Sequence, residues 1–331
     1  MWCKRTRYLL LMLLCAVMST HAAELSDSSR VSLLTCTPGE ELYARYGHTA
    51  LLVADPAQDL EVVFNYGIFD FNVDHFYYKF VKGETYYQLG AEVYRQFMLA
   101  YAMDDRRVFE QELNLTRDQR QAVFNALLEN YKPENREYLY NFVFDNCATR
   151  PLAIIEQAIG DSIRSTYRGY QGLTYREFIS HYTRTSSWAD FGINMIFGCR
   201  ADEKMDGRKN LFLPEELMNY MAAATLPSGE PLIKKQDVEP FEIKQVPWYA
   251  TWYVGVAMFF VIMLVITRID KHRGHISWWL DIVLGIVYLL LLALVVFLRY
   301  YSIHPLVGFN WRLLLLPLLH LCARLSYISH S

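Results

Sequence analysis

Long apolar runs lie at both ends of this chain and enclose a more polar middle. Residues 8–18 are almost continuously apolar, and three further apolar runs cover about 249–267, 276–298 and 303–323. Each of the last three approaches the roughly 20 residues that a helix needs to cross the hydrocarbon core of a bilayer. The pattern therefore predicts a membrane part in residues 248–331 with about three transmembrane helices.

Charged residues beside these runs predict the orientation of the chain. Basic residues precede the first run and small residues follow it, which is typical of a secretory signal peptide over residues 1–23. An uncleaved anchor is the alternative. The loop between the first two predicted spans carries Arg268, Lys271 and Arg273, and positive charge marks a cytoplasmic loop. We expect a protein of the bacterial inner membrane whose N-terminal domain is in the periplasm.

The middle segment, residues 24–226, combines strand and helix patterns and predicts an α+β domain. Residues 48–53 and 61–66 are β-rich runs that flank a polar turn, so they predict a β-hairpin. Residues 138–144 predict another strand, and residues 227–247 a polar linker. The other predicted elements are a strand over 110–115, helices over 95–103, 116–131, 191–197 and 214–221, and a helix that opens at Thr174.

Two sets of residues allow two interpretations each. Residues 66–87 are crowded with aromatic side chains, which either form core and a sheet face or make a platform beside lipid. The polar residues Asp281, Asn310, Arg312 and His320 in the membrane part either line a substrate groove or bind neighbouring helices and headgroups. The sequence alone leaves both choices open.

Composition and motifs exclude several classes of function. The chain has 331 residues and a net charge of −3, and its middle shows no basic stripe, so we expect no nucleic-acid partner. It contains no His-x-x-x-His or Cys-x-x-Cys spacing, no glycine-rich phosphate loop and no Gly-x-Ser-x-Gly turn. We therefore expect neither a metal ion nor an organic cofactor.

Three cysteines belong to the predicted exported domain: Cys36, Cys147 and Cys199. An odd number of cysteines in an oxidising compartment leaves one thiol unpaired. If Cys36 pairs with Cys199, the free thiol is Cys147. A disulfide at Cys147 would instead make it inert.

Cys147 and His48 are the most informative pair for chemistry. Asp145 and Asn146 are good capping residues, so we expect Cys147 at the start of a helix, where the macrodipole and free amides lower the pKa of a thiol. A histidine is the usual group that takes the proton from such a thiol. In an exported domain tethered to a membrane, where acyl chains are available, the pair suggests a thiol acyltransferase.

A third residue is expected to hold the imidazole of His48. Asn65 is the first candidate, because the predicted hairpin brings it near His48, and Asp70 is the second. Pro151 complicates the helix of the nucleophile, because a proline inside a helix clashes with the carbonyl four residues earlier. Either the helix begins later, with Thr149 as its cap, or its first turn is distorted.

Several motifs resemble those of a known family. They are Gly47-His48-Thr49-Ala50, Asn65-Tyr66-Gly67, Asn146-Cys147-Ala148-Thr149-Arg150 and Phe212-Leu213-Pro214. Over residues 25–225 the chain resembles the Lnb periplasmic domain, once called DUF4105, and its membrane part is similar to the helical tail of that family. The resemblance implies a permuted papain-like periplasmic domain, similar to NlpC-type and lecithin:retinol acyltransferase-like folds, followed by a transmembrane helical segment.

The resemblance also implies an activity, the N-acylation of lipoproteins. The Cys147 thiolate attacks an acyl ester of a phospholipid donor, and the thioester then passes the acyl chain to the α-amine of a diacylated lipoprotein acceptor. The catalytic set is then Cys147, His48 and Asn65. Candidate substrate contacts are Asn146, Arg150 and Tyr66; Arg150 either binds a headgroup phosphate through its fork or is only structural.

Three other functions remain open on the same fold. One is a cell-wall cysteine peptidase or amidase, against which the membrane spans count mildly. Another is a phospholipase, in which water replaces the amine. The last is a non-catalytic anchor or assembly factor.

Overall fold

The computed structural model describes residues 24–69, 72–184, 187–239, 241, 246–275, 277–308 and 310. The predicted signal peptide lies outside the described residues, and so does most of the third predicted span. The described strands are β1 (Arg30–Cys36), β2 (His48–Asp55), β3 (Leu60–Ile68), β4 (Tyr86–Val93), β5 (Val108–Leu113), β6 (Glu137–Leu139), β7 (Arg164–Ser165), β8 (Ala224–Thr225) and β9 (Ile233–Asp237).

The helices alternate with these strands and then end the described chain. They are α1 (Phe76–Lys82), α2 (Tyr94–Met103), α3 (Arg117–Tyr131), α4 (Thr149–Ile159), α5 (Tyr175–Thr183), α6 (Ser187–Ile196), α7 (Pro214–Ala222), α8 (Trp252–Arg273) and α9 (Trp278–Tyr301).

Within the described residues, seven strands form one antiparallel sheet in the order β6-β4-β3-β2-β1-β5-β9. Successive side chains of a strand point to opposite faces, and here both faces are covered. Leu33 and Leu51 belong to a core shared with α3, α4 and α7. Leu34 and Leu52 belong to a core shared with Phe97 of α2. The sheet therefore forms the middle layer of a mixed α/β domain.

Several predicted elements are confirmed. The hairpin is β2 and β3, paired from Asp55–Leu60 to Leu51–Phe64. Thr116 opens α3 through a capping box, because its hydroxyl accepts the N–H of Gln119 at 3.2 Å. The helices predicted over 95–103, from Thr174, over 191–197 and over 214–221 correspond to α2, α5, α6 and α7.

Two predictions are wrong. The strand predicted over 138–144 is reduced to β6, because the side-chain oxygen of Asn141 accepts the N–H groups of Val143 (3.1 Å) and Phe144 (3.0 Å) and folds the chain into a turn. The polar linker predicted over 227–247 contains β9, an edge strand on β5. An edge strand exposes most of its side chains, so its polar sequence resembles that of a linker.

In the described part of the chain, α8 and α9 are long and apolar enough to cross a membrane, with 22 and 24 residues. The turn between them is closed by Asp270, whose carboxylate accepts the N–H of Ser277 at 2.8 Å and its hydroxyl at 2.7 Å. The third predicted span does not begin at residue 303, because residues 302–308 are non-helical.

The segment 302–310 instead fastens the membrane helices to the sheet domain. The N–H of Ile303 donates to the carbonyl of Lys82 at 2.8 Å, and the N–H of Gly198 donates to the carbonyl of Leu306 at 2.9 Å. Asn310 is buried, and its amide donates to the carbonyl of Met195 at 2.7 Å. Asn310, one of the polar residues noted in the membrane part of the sequence, therefore binds the sheet domain. Arg312 and His320 lie outside the described residues.

Candidate active site

The sheet opens at one end between β2 and β3, and the candidate site lies in this opening. The pairing of β2 with β3 stops at Leu51–Phe64. On its other side, β2 continues to pair with β1 as far as His48. Within the described residues, the backbones of His48 and Thr49 thus lie beyond the last β2–β3 pair, which leaves room there for groups from other elements.

Asn65 holds His48 across this opening. Nε2 of His48 lies 2.6 Å from Oδ1 of Asn65. Because an amide oxygen only accepts, Nε2 carries the proton and Nδ1 carries the lone pair. Gly67 makes room for the ring: its φ is +155°, and a Cβ there would lie 2.8 Å from Cε1 of His48. The structure thus brings together the two residues that the hairpin predicted to be close.

Asn146 organises the helix start that carries Cys147. Its Oδ1 accepts the N–H groups of Ala148 (2.9 Å) and Thr149 (3.0 Å), while its own N–H donates to the hydroxyl of Thr149 at 2.8 Å. Its Nδ2 donates to the carbonyls of Phe142 and Phe212, each at 2.8 Å. These bonds tie the loop before the helix to two other segments, and they fix the backbone on which the thiol is mounted.

The helix itself begins at Thr149, later than Cys147. Pro151 is its third residue, where a helix has no acceptor for an N–H group, so the proline costs no hydrogen bond there. Thr149 is the first helical residue, and the cap is the side chain of Asn146. Of the two alternatives left by the sequence, the later helix start is therefore correct. The side chain that accepts the free N–H groups belongs to Asn146, however, and not to Thr149.

The thiol of Cys147 is buried, with 8% of the residue exposed. Burial raises its pKa to about 11, although the backbone N–H groups of Thr49 and of Cys147 itself hydrogen-bond to the sulfur and lower it. The lowered pKa predicted from a helix start is therefore wrong, because the loss of water outweighs two amide donors. The Thr49 amide nevertheless places the sulfur beside the first residues of β2.

Burial acts on His48 in the opposite direction. It lowers the pKa of His48 to about 4; the hydrogen bond that His48 donates to Asn65 opposes the change, and the charge of Arg106 adds to it. Since the pKa of His48 is about 4 and that of the Cys147 thiol is about 11, both groups are neutral at pH 7. A proton must therefore leave the thiol during any attack by its sulfur.

The three predicted substrate contacts are engaged by the protein. Asn146 is only 1% exposed and is occupied by the helix start. Arg150 makes a two-pronged ion pair with Asp145, at 2.5 and 2.8 Å, and its guanidinium lies 3.6 Å from the ring centre of Tyr138. Tyr66 is fully buried, and its hydroxyl accepts from Asn130 at 2.8 Å. All three side chains therefore make contacts within the protein, and their contact with a substrate stays a prediction.

Aromatic rings surround the sulfur. The pKa values of Tyr87, Tyr138 and Tyr140 are raised, first by burial and next by the negative charge of a Cys147 thiolate. Tyr87 and Tyr140 stack with ring centres 4.1 Å apart. The sequence marked this aromatic region but did not single out these rings, and it missed Thr49 because a backbone donor leaves no side-chain signal.

The Cys36–Cys199 disulfide, which the sequence left open, is not formed. Among the described residues, Cys36, Cys147 and Cys199 are all free thiols, with Cys36 and Cys147 buried and Cys199 exposed. The thiol of Cys147 is therefore free without a Cys36–Cys199 bridge. The second candidate for orienting His48, Asp70, lies outside the described residues.

Comparison with known families agrees with this architecture. The Lnb N-terminal periplasmic domain matches residues 19–183, and the Lnb transmembrane domain matches residues 245–331. The chain belongs to the Lnb family. No curated protein and no solved structure matches it.

The two Lnb domains divide the chain much as the structure does. The periplasmic Lnb match contains β1–β6 and α1–α4, including His48, Asn65 and Cys147, and ends with α5. The transmembrane Lnb match contains α8 and α9. The protein is thus a membrane-anchored member of the Lnb family with a periplasmic N-terminal domain.

Proposed function

We propose that this Lnb protein is a cysteine acyltransferase that moves an acyl chain from a phospholipid to the N-terminal α-amine of a diacylated lipoprotein. One arrangement carries the proposal: the amide of Thr49 holds the Cys147 sulfur next to β2, and the adjacent His48 is fixed by Asn65 at 2.6 Å. The order of histidine, amide and cysteine also agrees with a permuted papain-like domain, which we propose as its fold.

In the first half of the reaction, Nδ1 of His48 takes the proton of the Cys147 thiol as the sulfur attacks the acyl carbonyl. The N–H groups of Thr49 and Cys147, which donate to the sulfur, stabilise the negative charge that develops on the carbonyl oxygen. The ester C–O bond then breaks, and the imidazolium returns the proton to the glycerol oxygen. The products are a Cys147 thioester and a lysophospholipid.

In the second half, the lipoprotein amine attacks the thioester carbonyl. His48 accepts the proton that the amine loses, the C–S bond breaks, and the proton restores the thiol. The product is an amide on the N-terminal cysteine of the lipoprotein. Deep burial of the sulfur favours this acceptor over water, because water has little access to the thioester.

The junction with the membrane helices supports a lipid substrate. The sheet domain is hydrogen-bonded to the segment that follows α9, through Ile303 to Lys82 and through Leu306 to Gly198. Trp252, at the start of α8, donates its backbone N–H to the hydroxyl of Ser187 at 2.8 Å. These contacts hold the site at a fixed height above the outer surface of the bilayer, where both proposed substrates are anchored.

The test uses the full chain in phospholipid nanodiscs with a synthetic diacylglyceryl-cysteine lipopeptide, and mass spectrometry of the products. We expect wild type to form one lysophospholipid for each N-acylated lipopeptide, and Cys36→Ala to do the same. Cys147→Ala should form neither product. Free fatty acid without amide would instead show a phospholipase, and cleavage of added peptidoglycan fragments would show a peptidase or amidase. Equal amide formation by Cys147→Ala would refute the proposal.

A further inference from the structure

A row of aromatic rings runs from the membrane junction to the Cys147 thiol. Ring centres along it are 6.0 Å apart between Phe80 and Phe76, 6.0 Å between Phe76 and Phe69, and 4.9 Å between Phe69 and Tyr87. Tyr87 then stacks on Tyr140 at 4.1 Å. We call these five rings the aromatic row.

The outer end of the aromatic row lies at the height of the membrane surface. Nε2 of His304, three residues after α9 ends, lies 2.8 Å from the carbonyl oxygen of Phe80, and Tyr78 contacts Phe297 within α9 at a ring distance of 6.1 Å. Because α9 spans the bilayer, α1 is held where that span emerges. Phe80 is 45% exposed there, and Tyr78 and Val81 are exposed beside it.

The inner end of the aromatic row lies at the nucleophile. Tyr87 and Cys147 belong to the same buried hydrophobic cluster, and Tyr140 packs against that cluster. Phe80 at the outer end is exposed, Phe76 and Tyr87 are buried, and Phe69 and Tyr140 are partly buried. The row therefore begins at the surface and continues into the protein, with Phe69 still partly accessible beside the cavity.

A cavity of about 320 Å³ opens beside the middle of the aromatic row. Ile68, Phe69, Val73, Tyr86 and Tyr87 form its apolar side. The other side is polar and carries three charged residues, Lys79, Glu84 and Glu137. An apolar side next to both a cation and carboxylates suits an acyl chain whose headgroup is zwitterionic, with a phosphate and an ammonium group, as in phosphatidylethanolamine.

We propose that the cavity and the aromatic row bind the acyl chain of the donor phospholipid and guide its ester from the outer leaflet to Cys147. The occupant is a single bilayer lipid, because the exposed end of the row is continuous with the point where α9 leaves the membrane. This inference rests on the proposed function. It assigns Phe69, Val73, Phe80 and Tyr87, all from the region 66–87, to lipid contact, one of the two alternatives that the sequence left open.

Blocking the cavity tests the proposal. Val73→Trp and Phe80→Asp change exposed positions of the cavity and of the row, so neither disrupts a buried core. Matched controls are Val93→Trp, at the other end of β4, and Leu99→Asp on α2, both exposed. The measurement is the rate of Cys147 thioester formation in single-turnover mass spectrometry, with long-chain phosphatidylethanolamine or with soluble p-nitrophenyl acetate.

We expect both variants to lower the ratio of the phospholipid rate to the p-nitrophenyl acetate rate at least about tenfold, the effect of losing contact with roughly two methylenes. The controls should keep the wild-type ratio. An unchanged ratio in Val73→Trp and Phe80→Asp, with active wild type, would overturn the acyl-chain site and leave the proposed function standing.

Photolabelling provides a measurement that does not depend on turnover. Full-length Cys147→Ala in nanodiscs that contain a diazirine-acyl phosphatidylethanolamine should be labelled within residues 66–87, and Val73→Trp in that background should lower this label at least about tenfold. Labels confined to α8 and α9 would overturn the acyl-chain site. If wild type forms a thioester with p-nitrophenyl acetate but none with phospholipid, the proposed acyl donor is wrong. The photolabelling result then decides by itself whether the aromatic row binds lipid.

Discussion

Two buried thiols lie at the same end of the sheet, and their surroundings differ. Cys36 is the last residue of β1, directly opposite His48 in the ladder, and its pKa is raised by burial to about 12 despite a hydrogen bond with Tyr101. Cys147 is outside any strand, and burial raises its pKa to about 11. The pKa values are therefore nearly equal, and they do not tell a nucleophile from a core residue.

Backbone donors make the difference between the two. Cys36 is held within the regular β1–β2 and β1–β5 ladders, and its side chain lies in the core under α2. Cys147 precedes a helix and receives the Thr49 amide at the point where the β2–β3 pairing has stopped. A reacting carbonyl at Cys147 would therefore meet two backbone N–H donors, and the same carbonyl at Cys36 would meet a regular ladder.

The largest expected effect comes from exchanging the two thiols for alanine. Cys147→Ala should lower lipoprotein N-acylation at least about 10³-fold, as expected for loss of a nucleophile. Cys36→Ala should retain turnover and lose only about 1 kcal/mol of stability from the small cavity it leaves. Thermal unfolding and product mass spectrometry measure both, and an inactive but folded Cys36→Ala would reverse the comparison.

The orientation of His48 is the next test. Asn65→Ala should lower kcat about 10²-fold with little change in KM, because the imidazole loses the bond that fixes its tautomer and direction. Asn65→Asp, which can still accept from Nε2, should restore part of the rate. The exposed Asn125→Ala on α3 is the control, and activity of Asn65→Ala equal to this control would remove Asn65 from the site.

A smaller loss is expected when the helix start of Cys147 is loosened. Asn146→Ala removes the acceptor of two backbone N–H groups and the donor to two buried carbonyls, so unfolding free energy should fall by about 1–3 kcal/mol. Chemical denaturation measures this fall. If the Cys147 thiol in the folded variant became no more accessible to iodoacetamide than in wild type, Asn146 would not be its positioning residue.

The smallest expected effect is the response to mild acid. His48 acts as a base only when neutral, and its pKa is lowered to about 4, so activity should be lost as the pH falls through about 4. Between pH 7.5 and 5.5 the rate should change less than about twofold, whereas a histidine of ordinary pKa near 6.5 would lose about tenfold. A half-maximal rate near pH 6.5 would contradict the buried, neutral imidazole.

Sequence patterns predicted the parts of this site that depend on local rules. The two β-rich runs on either side of a polar turn predicted the hairpin, and the hairpin predicted the approach of Asn65 to His48. Asn146 has the side chain of a capping residue, and it caps. Each of these inferences needs only neighbours in sequence or across one turn.

The rest depends on long-range packing, which the patterns do not encode. The end of the β2–β3 pairing and the Thr49 amide are backbone features with no side-chain signature. The raised pKa of Cys147 reflects burial among rings from β4 and the 138–140 segment, so the helix start alone predicted the wrong direction. The polar strand β9 resembled a linker because only one side of it is paired.

The most direct test of the account is peptide mapping of the acylated protein. Full-length protein in nanodiscs, without lipoprotein acceptor, is digested and analysed for an acyl mass that hydroxylamine removes. We predict a single thioester, on the peptide that contains Cys147, and none on the peptides of Cys36 or Cys199. A stable acyl group on Cys36 would contradict the assignment of Cys147 as the nucleophile. So would the lack of an adduct on Cys147 in protein that N-acylates the lipopeptide.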